Sequence, residues 1–417
     1  MSNVPVTSRR GRLLKQRWQP LPGALGGRRS RRAFAFDAYL PTAIGEEEFT
    51  FTSTIAAANA DAEFAVQNLN REAPEVPNLE ALARQLLRAE CVASSRIEGL
   101  ILGHRRLAHA AFDTTGRDLT ATSVLANIAA LEGAVLLADQ ARALTAADIV
   151  TTHRTLFAGT RDEHLGGVIR KEQNWIGGAA TDPRAAEFVP PPHEHVRPLL
   201  DDLCVFINRD DVPAVIQAAI AHAQFETIHP FHDGNGRVGR ALISMIFRRR
   251  SLAPRTLPPV SLVLASRARA YVAGLTSFRA ADEEDWYAVF IDAVRTAATG
   301  AAAFEREVTA LQRRWHEQSG KPRAGSGAAR LIGLLPGAPV LDVTTATRLL
   351  GGSGEQARLA INRLEQANVL RPTTTGKRNR VWETVGLFDL LDRFERDLGA
   401  PDRTPTPTQD RGSLSPS

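Results

Sequence analysis

Apolar residues recur three and four apart through most of this chain, and that spacing predicts helices rather than strands. Between 212 and 228 the stripe is Val215, Ile216, Ala219, Ile220 and Ala223. Between 238 and 247 it is Val238, Ala241, Leu242, Met245 and Ile246. The same period predicts helices over 52–69, over 121–144, over 145–157 behind the cap Thr145, and from near Val196 onward. Another starts at the good N-cap Asn78, carries Leu79, Leu82, Leu86, Leu87 and Val92 on one stripe, and ends in Ser94 to Gly99. Two more are predicted over 261–275 and 282–298, with Tyr271 and Trp286 as aromatic anchors. The texture changes between Gly166 and Gly178, where Val168, Ile169, Trp175 and Ile176 sit among glycines as short extended pieces, and 188–192 completes an irregular hairpin. An exposed strand edge there can pair with an extended peptide, although an ordinary covering loop reads the same way. The expectation is a mainly α chain: a helical bundle with one small β-hairpin.

Past the Gly- and Ser-bearing stretch 320–327, expected to be a flexible linker, the pattern starts again. Short helices over 328–335, 344–350 and 353–367 precede two strands at 369–371 and 381–383. Helix, helix–turn–helix and hairpin in this order predict a winged helix-turn-helix over 325–396. Six Arg or Lys against two acids between Ser353 and Arg380 suit DNA phosphates, with Arg358, Lys377, Arg378 and Arg380 as candidates. Winged helices also serve as protein docking modules, so both readings stand. The Pro-, Thr- and Ser-rich 397–417 is expected to be a disordered tail.

Charge adds one correction to this picture. The chain has 417 residues and a formal charge of +5, but residues 1–36 alone hold nine Arg or Lys and no acid, which leaves the remainder at −4. The basic balance therefore belongs to a stretch expected to be a disordered tail, with an N-terminal helical region over 37–120 and a core over 121–318 behind it. Cys91 and Cys204 fall in helical apolar patterns and are expected to be buried thiols. His193 and His195 lack the spacing of a zinc helix and read as cap and surface residues. No run of 18 apolar residues and no signal-like N-terminus occur, so a cytoplasmic chain with no membrane contact is expected.

The densest chemistry lies between the two helices first named. From His229 to Arg240 the chain holds two histidines, a carboxylate, three glycines, an asparagine and two arginines. The glycines fall at the mouth of a helix, where backbone N–H groups lack internal partners and bind phosphate. Gly234 and Gly236 let that backbone approach a ligand closely. Arg237 and Arg240, three apart, reach the same anion. Asp233 is an oxygen donor of the kind a phosphate-bridging Mg²⁺ takes, and His229 titrates near neutrality and can remove a proton from a hydroxyl. Upstream, Ser94 and Glu98 stand one turn apart, and Gly99 can close the helix in the left-handed conformation.

These twelve residues match the complete motif His-Pro-Phe-x-Asp/Glu-Gly-Asn-Gly-Arg-x-x-Arg, with His232 in the first variable place and Val238 and Gly239 in the last two. The chain thereby resembles the Fic family over roughly residues 39–300, including Gln173 to Gly178 and the 188–191 segment. The resemblance implies a Fic-type bundle, a hairpin flap and transfer of AMP from ATP, with Mg²⁺, to a Ser, Thr or Tyr hydroxyl of a protein target or of the chain itself. It implies His229 as general base, Asp233 on Mg²⁺, and Gly234, Asn235 and Gly236 as the anion hole for the α-phosphate. It implies Arg237 on the α/β-phosphates, Arg240 on the γ-phosphate, Phe231 in the core, and Ile176 and Gly177 in the flap. Tyr271 takes the place of one of a pair of adenine-side tyrosines, its neighbour here being Val272. Ser94 to Gly99 is similar to the family's inhibitory motif, in which Glu98 would pair with Arg240 and displace the γ-phosphate. The 166–170 segment is similar to a Pro-Gly-x-x-Arg pattern but lacks the proline. AMP removal through Glu98, transfer of UMP, phosphocholine or phosphate, a homodimer, and a nucleotide-sensing DNA-binding regulator remain open alternatives.

Overall fold

The computed structural model describes residues 10–19, 32–71, 79–112, 118–140, 142–178, 182–373 and 380–399. The expected cap Asn78 and the candidates Lys377 and Arg378 lie outside them. The chain is mainly helical. It starts with a two-stranded antiparallel hairpin, β1 (Gly11–Trp18) and β2 (Phe34–Pro41), in register Gly11↔Pro41 to Trp18↔Phe34. This corrects the expectation of a tail where it covers 11–18 and 34–36; residues 1–9 and 20–31 lie outside the described residues. Arg10 fastens it: the buried guanidinium meets Glu47 at 2.8 Å and Glu283 at 2.6 Å, and covers Phe49 and Phe278. Leu14, Gln16 and Trp18 do alternate with polar residues, but they complete their burial only against distant partners, Trp18 on Trp175 for one.

The bundle follows as α1 (Ser53–Leu69), α2 (Leu79–Ile97), α3 (His104–Ala110), α4 (Leu119–Ala138), α5 (Ala146–Phe157), α6 (Val196–Ile207), α7 (Ala214–Ile228), α8 (Asn235–Arg249), α9 (Val260–Ser266), α10 (Ala268–Arg279) and α11 (Glu283–Gln318). Every residue of α7 is buried, because Ala, Ile, Gln and His fill all its faces and other helices surround it; it is the central rod. α8 runs back along α7 and is nearly as buried. α4 is the one helix among the described residues long and apolar enough to cross a membrane, and 56 % of that window is buried in the bundle. It packs on α2, α5 and α8, which accounts for its apolar composition. The single helix expected over 261–275 is two, broken at Arg267.

Helix α11 has 36 residues and so runs roughly 54 Å, far past the expected end at Ala298. It carries the chain from the helical bundle into the C-terminal unit: α12 (Gly327–Leu334), β3 (Val340–Asp342), α13 (Val343–Leu350), α14 (Gly354–Gln366), β4 (Leu370–Pro372), β5 (Val381–Thr384) and α15 (Leu387–Gly399). The three strands form an antiparallel sheet in the order β3-β5-β4. β3 and α15 had no counterpart in the sequence reading, and α15 carries 397–399, expected to open the tail, into a helix. The segment 320–327 is pinned rather than free: Arg363 donates to the carbonyls of Ser319, at 2.8 and 2.9 Å, and Gly320. The two units share one apolar core, with Phe304 stacked on Phe394 and Trp315 Nε1 donating to Val385 O.

Candidate active site

α7 ends and α8 begins around a loop that other parts of the chain hold from behind. His229 closes α7 in the left-handed conformation, φ 50°, unusual for a residue with a side chain and sustained only by its surroundings. Arg170 supplies them. Its Nε donates to His229 O at 2.9 Å, and its other nitrogens reach the carbonyls of Pro191 (2.6 Å), Glu172 (3.1 Å) and Ile228 (3.3 Å). Burial pushes this guanidinium down to about 10. Asn235 spends its amide on the loop too, accepting from Phe231 N and donating to Phe231 O. Its part in the expected anion hole therefore falls to its backbone N–H alone. Asn174 adds a second donor to Phe231 O at 3.0 Å.

His153, on α5, completes the clamp. Its ring lies flat on Phe231, centroids 3.7 Å apart and planes within 3°. Gly167 N donates to its Nδ1 at 2.8 Å, so that nitrogen accepts and Nε2 carries the proton, donated to Asp233 O at 3.0 Å. Burial pushes His153 down to about 4, which keeps this tautomer neutral. Neither His153 nor Asn174 stood out in the sequence. A histidine in an apolar helical stripe and an asparagine in a glycine-rich loop have commoner explanations.

Gly234, φ 79°, is the N-cap of α8 and makes no side-chain cap; its own N–H donates to Asp233 Oδ1 at 2.6 Å, and the N–H groups of the first turn lack partners within the helix. A Cβ on Gly234 would lie 2.8 Å from Phe157. Asp233 is 58 % exposed beside this mouth, 3.6 Å from Arg237. Among the described residues no group of three His, Cys, Asp or Glu could hold a metal by itself. One exposed carboxylate beside the helix's first N–H groups fits Mg²⁺ only when phosphate oxygens complete its shell. Arg237 is buried and its guanidinium covers Phe157.

Arg240, also buried, is fully engaged: Nε donates to Ser94 Oγ, and Nη2 to Ser94 O and to Glu98 Oε1, each at 2.8 Å. Glu98 follows the last turn of α2, and Gly99 beside it has φ 80°. A Cβ built on Gly236 would fall 2.1 Å from Glu98 Oε1, so the carboxylate lies directly on the glycine at the helix mouth, where an anion would approach. Burial works to raise the Glu98 carboxyl, but Arg240 outweighs it and holds it below the usual range.

His229 itself is neutral. Burial first, then the charge of Arg170, pushes it down to about 4. Its Nδ1 is buried without a hydrogen bond, with Glu226 Oε2 3.9 Å away. Burial lifts Glu226 to about 7. Tyr271, expected on the adenine side, is held mainly by the core. It is 4 % exposed, its hydroxyl lies 2.7 Å from His222 Nε2 and its ring faces His222 and Trp286, so it supports the site from inside the core.

The flap is smaller than a hairpin: Ile176 pairs with Phe188 as a single bridge, and Gly177 turns beside it with φ 73°. The basic hairpin backs it, through Tyr39 N to Val189 O at 2.9 Å and Trp18 edge-on to Trp175. His193 and His195 form the turn before α6, with His193 against Glu194. Both cysteines are free and buried.

Residues 143–247 match the family model described as Fic/DOC family, and residues 56–136 the model described as Fic/DOC family N-terminal. Over 139 residues the chain is 32 % identical to the protein adenylyltransferase fic-1 of Caenorhabditis briggsae, covering 33 % of this chain and 24 % of that protein. It is 31 % identical over 125 residues to the protein adenylyltransferase Fic of Drosophila willistoni, covering 28 % and 22 %. The chain thus spans about a quarter of the length of these curated relatives. A crystal structure of a Fic family protein from Desulfovibrio desulfuricans G20 aligns over 81 % of this chain and 98 % of its own, with TM-score 0.52 and 23 % identity, and shares the fold.

Proposed function

This chain belongs to the Fic/DOC family, and we propose that it is a protein adenylyltransferase, moving AMP from ATP to a Ser, Thr or Tyr hydroxyl and restrained by its own Glu98. One observation carries the reading: a neutral, half-buried His229 and two buried arginines converge on an uncapped helix mouth. ATP supplies the group to be moved, and the N–H groups of Gly234, Asn235 and Gly236 would take its α-phosphate, where charge builds during transfer. Asp233 would hold Mg²⁺, which neutralises phosphate charge. The target oxygen attacks the α-phosphorus while its proton passes to the neutral imidazole of His229. The new O–P bond forms, the bond to the β-bridging oxygen breaks, and pyrophosphate leaves against Arg237 and Arg240. The flap at Ile176 and Gly177 would line up the target segment.

Glu98 on Arg240 is the restraint in this reading. Arginine offers one fork, and the γ-phosphate competes with the carboxylate for it. Incubation with α-labelled ATP and Mg²⁺ should label protein, label it more strongly in Glu98→Gly, and far more weakly in His229→Ala. Equal labelling of wild type and Glu98→Gly removes the restraint, and labelling from UTP or CDP-choline instead of ATP changes the donor.

We read 325–396 as a winged helix-turn-helix, and the charges there favour docking over DNA. Three of the six cations between Ser353 and Arg380 are spent internally: Arg363 on Ser319, Arg371 on Glu383 and Arg380 on Glu365. Arg358 alone of the described candidates stays outward, beside the exposed Leu359. Salt-dependent retention of duplex DNA by the full chain, lost in Arg358→Ala, would reverse that preference.

A further inference from the structure

Glu395 stands on α15, the last helix, yet its carboxylate reaches both ends of the turn that carries Glu98. One oxygen lies 2.9 Å from Nη2 of Arg96, two residues before Glu98. The other lies 2.7 Å from Nε2 of His104, where α3 begins after the turn. The side chains of Glu395 and His104 are 14 % and 3 % exposed, so little water competes for these bonds. Burial works to raise the Glu395 carboxyl, but His104 and Arg96 outweigh it and hold it below the usual range.

The C-terminal unit grips α3 further along as well. Glu383, on β5, lies 3.1 Å from His109 Nε2 and 3.5 Å from Arg105 Nε, and Arg105 covers Phe388 of α15. On the catalytic side, α2 is anchored at Ser95, whose Oγ accepts from Asn127 of α4 at 3.1 Å. The turn itself is closed by short-range bonds, Glu98 N to Ser95 O and Gly99 N to Arg96 O. The side chains reaching out from it are Ser94 and Glu98 toward Arg240, Ser95 toward Asn127 and Arg96 toward Glu395.

We propose that Glu395 is a positioning residue for the nucleotide site: by holding Arg96 and His104 it sets the reach of Glu98 onto Arg240. It rests on the adenylyltransferase reading and gives the C-terminal unit a direct hold on the catalytic one. When Glu395 lets go, the turn keeps its local bonds but loses its outer support, and Arg240 passes more readily to the γ-phosphate.

The test compares wild type, E395Q, R96Q, E98G and E98G/E395Q as full chains, labelled from α-labelled ATP at limiting and saturating concentrations, with ATP affinity measured by calorimetry. E395Q should label about five- to tenfold faster than wild type, within ordinary coupling energies between sites, chiefly through a lower KM. R96Q, at a half-exposed position that breaks one of the two bonds, should show a smaller rise, and decides the matter if E395Q fails to melt cooperatively. E98G/E395Q should match E98G, because releasing a restraint already removed adds nothing; a merely structural defect would lower labelling in both backgrounds. Wild-type rates in E395Q and R96Q beside a raised E98G overturn the proposal, and so does an additive double variant. If E98G labels nothing with any donor, the adenylyltransferase reading fails, and the hold is judged by calorimetry alone: tighter ATP binding in E395Q sustains it, unchanged binding overturns it.

Discussion

The loop from His229 to Arg240 and the turn from Ser94 to Gly99 meet at Arg240, and the chain fixes them by opposite means. The loop is clamped by uncharged or backbone-directed bonds from two other segments and from its own Asn235. Arg170 spends its guanidinium on four carbonyls, His153 bridges Gly167 and Asp233, and Asn174 and Asn235 share Phe231. Losing one of these leaves the others. The turn reaches outward through ion pairs at Arg240 and Glu395, both of which a competing charge or a moved helix can break. Groups that must sit still while a bond is made gain from redundancy. A group that must leave gains from few contacts, each exchangeable with a ligand's own.

The largest expected effect that this contrast supports is on the loop's chemistry. His229→Ala should cut the rate of label transfer about 10²- to 10⁴-fold, the usual worth of a general base, with an unchanged melting temperature. A rate within a factor of a few of wild type would move the proton acceptor elsewhere. On the turn, Glu98→Gly should raise the rate about 5- to 150-fold, with tighter ATP binding by calorimetry.

Arg170→Met tests the clamp itself. It strips donors from buried carbonyls and should cost on the order of 3 kcal/mol in denaturant unfolding, with loss of transfer. His153→Phe keeps the stack on Phe231 but removes both hydrogen bonds, for about 1–3 kcal/mol; an effect confined to stability, with the rate intact, would show the loop holding without it. The smallest signal is in pH. Because His229 is held down to about 4, the acid limb of kcat/KM should fall near pH 4 instead of near the ordinary imidazole value of about 6.5. Stability follows with a sign of its own. His153, His222 and His229, held at about 4, 3 and 4, refuse protons that the unfolded chain accepts, so their contribution falls as pH drops below about 6.5. Glu90 and Glu226, raised to about 7, act the other way: their contribution is full below about 4.5 and is lost as pH rises through 7. Glu90→Gln should therefore destabilise less at pH 8 than at pH 5 in paired urea melts.

Legibility in the sequence followed the range of the interaction. Helical periods located α1, α5, α6 and α7 closely, since a stripe of apolar residues is local information. The motif placed His229, Asp233, Arg237 and Arg240 around one helix mouth because neighbours in sequence must be neighbours there. Tyr271 shows the converse. Its spacing says that it lies on α10, but which face α10 turns inward depends on α7 and α11, and the hydroxyl ends at His222. Hairpin β1–β2 was hidden because its cations read as a solvated tail, and only Glu283 and Trp175, far along the chain, reveal Arg10 as a buried anchor and Trp18 as a packed one.

By itself, then, the sequence determined a helical bundle, a glycine-rich helix mouth with a histidine at its lip, and an upstream turn carrying a carboxylate, all set by residues within a turn or two of one another. Only the tertiary structure decided that Glu98 lies on Gly236, that His229 is neutral, that His153 and Arg170 hold the loop, and that α15 reaches back to the turn carrying Glu98. Each of these depends on burial or on a contact between segments far apart in the chain, and a local pattern of residue types carries no record of either.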